Sequence, residues 1–207
     1  MRAVWKGAFF MIELIKKEIH MNRQKGTAVS QLTLDDDFIV PDALDDAAQI
    51  LLSDGEVQIE NSRIQGEKVL IRGKLVFRVL YRRELGGLQA MGGEIPFEET
   101  VNVPELSERD YTQIAWNLED LNITMIHSRK LSAKAVLTLT VRAESRVDAQ
   151  AAADVETDDA GLQVLKRSVP AATLAVRRKD IYRVREEVSV SANKPNIETI
   201  LWQEMRL

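Results

Sequence analysis

The stretch EKVLIRGKLVFRVLYRRE, Glu67 to Glu84, constrains the fold more than any other part of this 207-residue chain. Its odd positions Val69, Ile71, Leu75, Phe77, Val79 and Tyr81 are apolar. Its even positions Lys68, Arg72, Lys74, Arg78 and Arg82 are basic, interrupted by Leu70, Val76 and Leu80. Side chains alternate across a strand with period two. The pattern therefore predicts a long strand with one face buried throughout and the other partly covered. Gly73 falls in the apolar row, where it predicts a bulge or a close backbone approach. Such a strand belongs in a sheet with other strands.

Other segments can supply them. KLSAKAVLTLTVRAESRV, Lys130 to Val147, places Leu131, Ala133, Ala135, Leu137, Leu139 and Val141 on one side. LNITMIH, Leu121 to His127, also alternates, and Ser128-Arg129 can turn between the two. Gly86-Gly87 and Gly92-Gly93 read as hairpin turns that bracket further short strands, among them EIPFEETVNV, Glu94 to Val103. The expected fold class is mainly β, an antiparallel sandwich or open barrel with one or two short helices. The best helix candidate is DALDDAAQILLSDG, Asp42 to Gly55. There Asp42 can cap, Ala47, Ile50 and Leu51 share a face, and Gly55 can end the helix.

The chain then begins to repeat itself. KKEIHM, Lys16 to Met21, returns as RKDIYR, Arg178 to Arg183. DFIVPDALDDAAQILL, Asp37 to Leu52, returns as EVSVSANKPNIETILW, Glu187 to Trp202. Each longer block reads as a strand, a polar turn and a helix start closing on Ile-Leu. The expected organisation is a first β domain over 11–147 and a linker or edge segment over 148–173, rich in Ala and Asp to Gly161. Residues 174–207 then open a second, incomplete copy. So short a fragment cannot bury a core of its own. Either a longer parent continues past it, the favoured expectation, or its strands pair with something else.

Residues 1–10 form a translated leader if Met11 is the native start. Lys6-Gly7-Ala8 can be encoded as AAAGGAGC, which contains a bacterial ribosome-binding sequence a few nucleotides upstream. An ordinary N-terminal extension is the alternative, and a Gly7 codon other than GGA would remove the core of the proposed site. Glu13, Lys16 and Lys17 interrupt the early apolar run, and no small-residue cleavage site follows, so no export signal is read.

The 28 basic and 32 acidic residues leave a formal charge of -4, which gives no pull toward nucleic acid or anionic lipid. No apolar run approaches the roughly 20 residues that cross a bilayer as a helix, so no membrane insertion is expected. The chain has no cysteine, which removes disulfides, thiolate zinc sites and thiol nucleophiles and fits a reducing compartment. With His20 and His127 alone, a three-histidine metal site cannot form within one chain. Asp35-Asp36-Asp37 and Asp45-Asp46 are the densest carboxylates. Their spacing matches no calcium loop, and a solvated turn with helix capping is the expectation. No serine sits in a nucleophile elbow, and Trp5, Trp116 and Trp202 are dispersed, with core packing expected. No catalytic, cofactor-binding or metal-binding residue is therefore assigned and no enzyme activity is expected. The partner-binding residues are unknown.

MIELIKKEIHMNRQKG, LTLDDDFIVPDA, EKVLIRGKLVFRVLY, GEIPFEE, LEDLNITMIHSRKLSAKAVLTL and RRKDIYRVREEVSVSANKPNIETILW together resemble the SPOCS domain. That domain occurs in spore coat morphogenetic proteins of spore-forming Firmicutes, such as the clostridial SipL-like proteins. The resemblance spans Met11 to Leu207. It implies a mostly β domain, often in tandem, that helps assemble the spore envelope in the mother-cell cytoplasm, at the forespore surface or in the coat. The partners it implies are other spore coat proteins or a second copy of the chain. Some members add a LysM module that binds peptidoglycan, and none is visible in this sequence. The family's helix start resembles Lys194-Pro195-Asn196, whereas the first copy has Leu44-Asp45-Asp46. The expectation is that Asp45 still caps the helix there, while any partner contact through that lysine is in doubt. Direct glycan binding by the β domain is the alternative reading.

Overall fold

The computed structural model describes residues 12–158, 161–170, 176, 178 and 180–204. The leader reading of 1–10, the Met11 start, Trp5, and Lys179 of the repeated basic block lie outside the described residues. Six strands form: β1 (Ile12–Ile39), β2 (Ala47–Gln65), β3 (Lys68–Arg83), β4 (Leu88–Asn102), β5 (Tyr111–His127) and β6 (Lys130–Thr157). They make two antiparallel three-stranded sheets, ordered β1-β6-β5 and β2-β3-β4. No closed barrel and no helix occurs among the described residues.

The two stretches with the most sustained alternation became the middle strand of each sheet. On β3 the residues Val69, Ile71, Leu75, Phe77, Val79 and Tyr81 are all 0% exposed, and on β6 so are Leu131, Ala133, Leu137, Leu139 and Val141. Both rows belong to one apolar cluster that draws on both sheets. Burying one large side chain of this kind contributes about 1.5–3 kcal/mol. A three-stranded sheet has too little area to stand alone, so these facing rows are what make two sheets into one core.

Two compact units can be distinguished. One comprises Met1–Gln24 and Glu144–Ile181, the other Lys25–Ala143 and Tyr182–Leu207. The second holds the core. The described part of the first contains the early residues of β1 and the late residues of β6, with His20 Nδ1 at 2.6 Å from Asp148 and Lys166 at 2.6 Å from Asp154. β6 runs on to Thr157, within the stretch read as linker or edge segment. From Gly161 to Glu204 the described residues show only turns, a bend and irregular chain.

The helix expected over Asp42–Gly55 does not form. A turn occupies Asp42–Leu44, and β2 starts at Ala47. The spacing misled because β2 carries bulges. Ala47 opposes Arg83, Gln49 opposes Arg82, and Ile50 opposes Tyr81, with register shifts at Ala47/Gln49, Ile50/Leu52 and Ile59/Asn61. Each bulge inserts an unpaired residue and resets the parity of the strand. Ala47 and Ile50 thus both face inward at a spacing of three, as they would on a helix.

Gly92 and Gly93 are not a hairpin turn either. They lie inside β4, opposite Arg78 and Phe77. A Cβ on Gly93 would come within 2.5 Å of Cζ of Phe77 and 2.8 Å of Phe38. The glycine makes room for these two rings, which meet edge to face at 4.6 Å. Gly86 and Gly87 do turn, at φ 90° and 85°. Gly73 fulfils both of its expectations: it opposes Ile59 where β2 bulges, and a Cβ there would sit 2.6 Å from the Gln58 carbonyl.

The chain passes between the sheets twice, from β1 to β2 and from β4 to β5. The second crossing buries Val103 and Leu106. Lys25 Nζ holds it by donating to the Glu105 carbonyl at 2.8 Å and to Asp110 Oδ2 at 2.7 Å. Glu105 has φ 62°, a left-handed conformation that a non-glycine residue keeps only when its surroundings hold it. The Lys25 bond, together with its own N–H donated to Glu67, does so.

Gly93→Ala should destabilise the fold by about 1–3 kcal/mol in urea unfolding, because Phe77 has no free space to retreat into. In a Phe77→Leu background the same substitution should cost clearly less. Equal costs in both backgrounds would contradict the packing account.

Candidate interaction surface

The basic row of β3 faces outward, and its register supplies acidic partners. Arg72 pairs with Glu98 on β4, Lys74 with Glu94 at 2.9 Å, and Arg78 with Asp54 on β2 at 3.0 Å. The hydrogen bond that Lys74 donates to Glu94 raises the lysine pKa above its ordinary value against the opposing effect of burial. Cations matched in this way leave little field for a phosphate chain.

The carboxylate clusters also turn out to be paired. Asp35 and Asp37 lie on β1 beside Lys134 at 3.2 Å and Lys130 at 2.7 Å. Asp42, Asp45 and Asp46 lie in the first crossing and cap no helix. Arg129, in the β5–β6 hairpin turn, gathers that crossing. One of its terminal nitrogens donates to the Leu44 carbonyl and to Asp46 Oδ1, both at 2.9 Å. The other donates to the Val40 carbonyl and to Asp42 Oδ1, both at 3.0 Å. The Val40 and Ala47 N–H groups donate back to the carbonyls of Arg129 and Ser128 at 2.8 and 2.9 Å. Arg83 takes Asp45 at 2.7 Å, and the buried Tyr81 places its hydroxyl 3.1 Å from the Asp45 carbonyl. Arg129 holds the Asp46 carboxyl below the usual carboxylate range. At the second crossing, burial works to raise Asp110, but Lys25 and the Ser107 N–H outweigh it and the carboxyl is lowered.

Sequence reasoning treated Arg129 only as half of a turn. Its partners lie more than eighty positions away in the chain, so no local pattern announces them. His127 accepts a hydrogen bond from the Arg129 N–H at 3.2 Å, and His20 meets Asp148. Among the described residues no group of three or more His, Asp or Glu side chains is arranged to hold a metal ion, and no helix is long and apolar enough to cross a membrane. The expectation that Trp116 and Trp202 pack in the core is corrected. Trp116 is 41% exposed on the edge strand β5, and Trp202 lies over the Arg78 guanidinium at 5.1 Å.

A surface of a different kind remains. β2 and β5 are edge strands of different sheets, yet they lie alongside each other. The Ala47–Ser128 backbone bond fixes one end of this seam. At the other, a Cβ on Gly55 would be 2.9 Å from Leu121 and 3.2 Å from Leu118. Between those points run Leu51 and Leu52 on β2 and Met125 and Ile126 on β5, all of them exposed. Exposed apolar side chains therefore occur on both strands of this seam, with Met125 and Ile126 on alternate faces of β5.

The two antiparallel three-stranded sheets around one apolar cluster define the class: a two-sheet β module. Residues 46–126 match the family model described as SipL, SPOCS domain, the sporulation-related family that the sequence resembles. The match runs from the residue before β2 to the penultimate residue of β5, so β1 and β6 lie outside it. No curated protein and no solved structure matches the chain.

Asp46 and Asp110 titrate below their unfolded values. Their pairs therefore stabilise the fold fully above the unfolded carboxylate pKa, and that contribution is lost as pH falls through the folded values. Arg129→Met should lower the urea midpoint near pH 7 and reduce the further drop seen on acidification to about pH 3. An unchanged acid profile would show that the Arg129–Asp46 pair does not carry it.

Proposed function

We propose that the chain is a non-enzymatic assembly module of the spore envelope, a sandwich-type SPOCS domain followed by the opening of a tandem copy, which acts through contacts with other coat proteins or with itself. The supporting observation is a coincidence of positions. The exposed residues Leu51, Leu52, Met125 and Ile126 sit on the first and last strands of the segment that matches the SPOCS family. Interfaces are built around such apolar centres with polar rims, and the paired charges of β3 supply a rim of that kind. In this reading the module scaffolds the mother-cell side of the forespore surface, where its expected partners assemble.

Leu52→Glu combined with Ile126→Glu should leave the circular dichroism and melting temperature close to the parent, because both side chains are exposed. The same pair should weaken association with itself or with captured coat proteins about tenfold or more, read by sedimentation velocity and pull-down. Association at parental strength would count against the seam. Co-sedimentation with cortex peptidoglycan that survives these substitutions but falls with Trp116→Ala would favour glycan binding instead.

A further inference from the structure

The repeated block Asp37–Leu52 and Glu187–Trp202 aligns residue for residue without a gap. Its turn has the same geometry in both places. The Leu44 N–H donates to the Pro41 carbonyl at 2.9 Å, and the Lys194 N–H donates to the Ser191 carbonyl at 2.9 Å. In this alignment Trp202 stands where the first copy has Leu52, an outward position on β2 that is 47% exposed. A Trp202 in that position would also present its ring outward.

In the structure the ring has found a seat. Trp202 lies over the guanidinium of Arg78, which also donates to the Gln203 carbonyl at 3.0 Å while its other terminal nitrogen holds Asp54 at 3.0 Å. Asp54, Gly55, Glu56, Val76 and Arg78 line a groove of about 590 Å³ on the outer face of β2–β3, closed on one side by Gln203. A cation held flat by a carboxylate is a ready platform for an aromatic ring. Both partners belong to the same compact unit.

We propose that this groove is the docking site for the following repeat of the same chain. Arg78 receives the aromatic side chain that opens the next copy and so sets how successive copies join. The inference rests on reading Glu187–Trp202 as the opening of a second copy and deepens the assembly role: Arg78 and Trp202 join repeats within a chain, while the β2–β5 seam joins chains.

The chain has three tryptophans and no cysteine, which allows two clean probes. With Trp5→Phe and Trp116→Phe, Trp202 emits alone. At a concentration where sedimentation shows monomers, Arg78→Ala should raise acrylamide quenching of Trp202 about twofold and shift its emission to the red, while Arg78→Lys, which keeps a cation, should fall nearer the parent. Glu56→Cys paired with Gln203→Cys should form an intramolecular disulfide under mild oxidation. Parental quenching in Arg78→Ala, or crosslinks found only between chains, would overturn the proposal. Since Leu52→Glu with Ile126→Glu should weaken association without altering Trp202 quenching, failure of the seam and failure of this docking site remain distinguishable.

Discussion

A chain that builds two small sheets around one core must carry its backbone across the open end of that core, and the polar groups it exposes there need partners. The β1-to-β2 crossing meets this demand through a single guanidinium. Arg129 takes two carbonyls and two carboxylates from Val40 to Asp46, while its own turn accepts the N–H groups that begin and end the same stretch. Planar donors that reach four acceptors at once suit arginine and no other side chain. The β4-to-β5 crossing repeats the device with a lysine, partly buried with its aspartate and also donating to the Glu105 carbonyl. Without Arg129, Asp42 and Asp46 lose the cation they share, and without Lys25, Asp110 loses its own.

This arrangement distinguishes the two copies of the repeated block. Val190 and Lys194 can offer the same carbonyls as Val40 and Leu44, but Ala192 and Asn196 replace Asp42 and Asp46. The later turn therefore presents no anion to an arginine. It closes with the same hydrogen bond as the earlier turn and lacks that turn's two carboxylates.

Much of the architecture was legible because period two, sustained over many residues, has one cheap solution. The rows Val69–Tyr81 and Leu131–Val141 lie where alternation put them, and Ser128-Arg129 turns between β5 and β6. The errors came where packing overrode local pattern. Bulges let Ala47 and Ile50 share a face at helical spacing, and Gly93 was read as a turn when its role is to leave space for Phe77 and Phe38. The clamps were illegible for a different reason. Arg129 with Asp46 and Lys25 with Asp110 join positions distant in the chain, and nothing near either cation signals its partner. The turns at Pro41–Leu44 and Ser191–Lys194 close with the same hydrogen bond, but the strand and helix start expected around the later one do not form.

The distribution of charge bears most directly on function. Many ionic groups in the second unit pair across elements of the fold: lysines of β6 hold aspartates of β1, β3 cations hold β2 and β4 carboxylates, and Arg129 and Lys25 hold the crossings. What the same surface offers freely is apolar: the β2–β5 seam and the indole of Trp116. Hydrophobic side chains cost free energy when left in water, and burying them against another surface recovers it. In this fold the named charges are paired with one another, while Leu51, Leu52, Met125 and Ile126 are among the apolar side chains left in water.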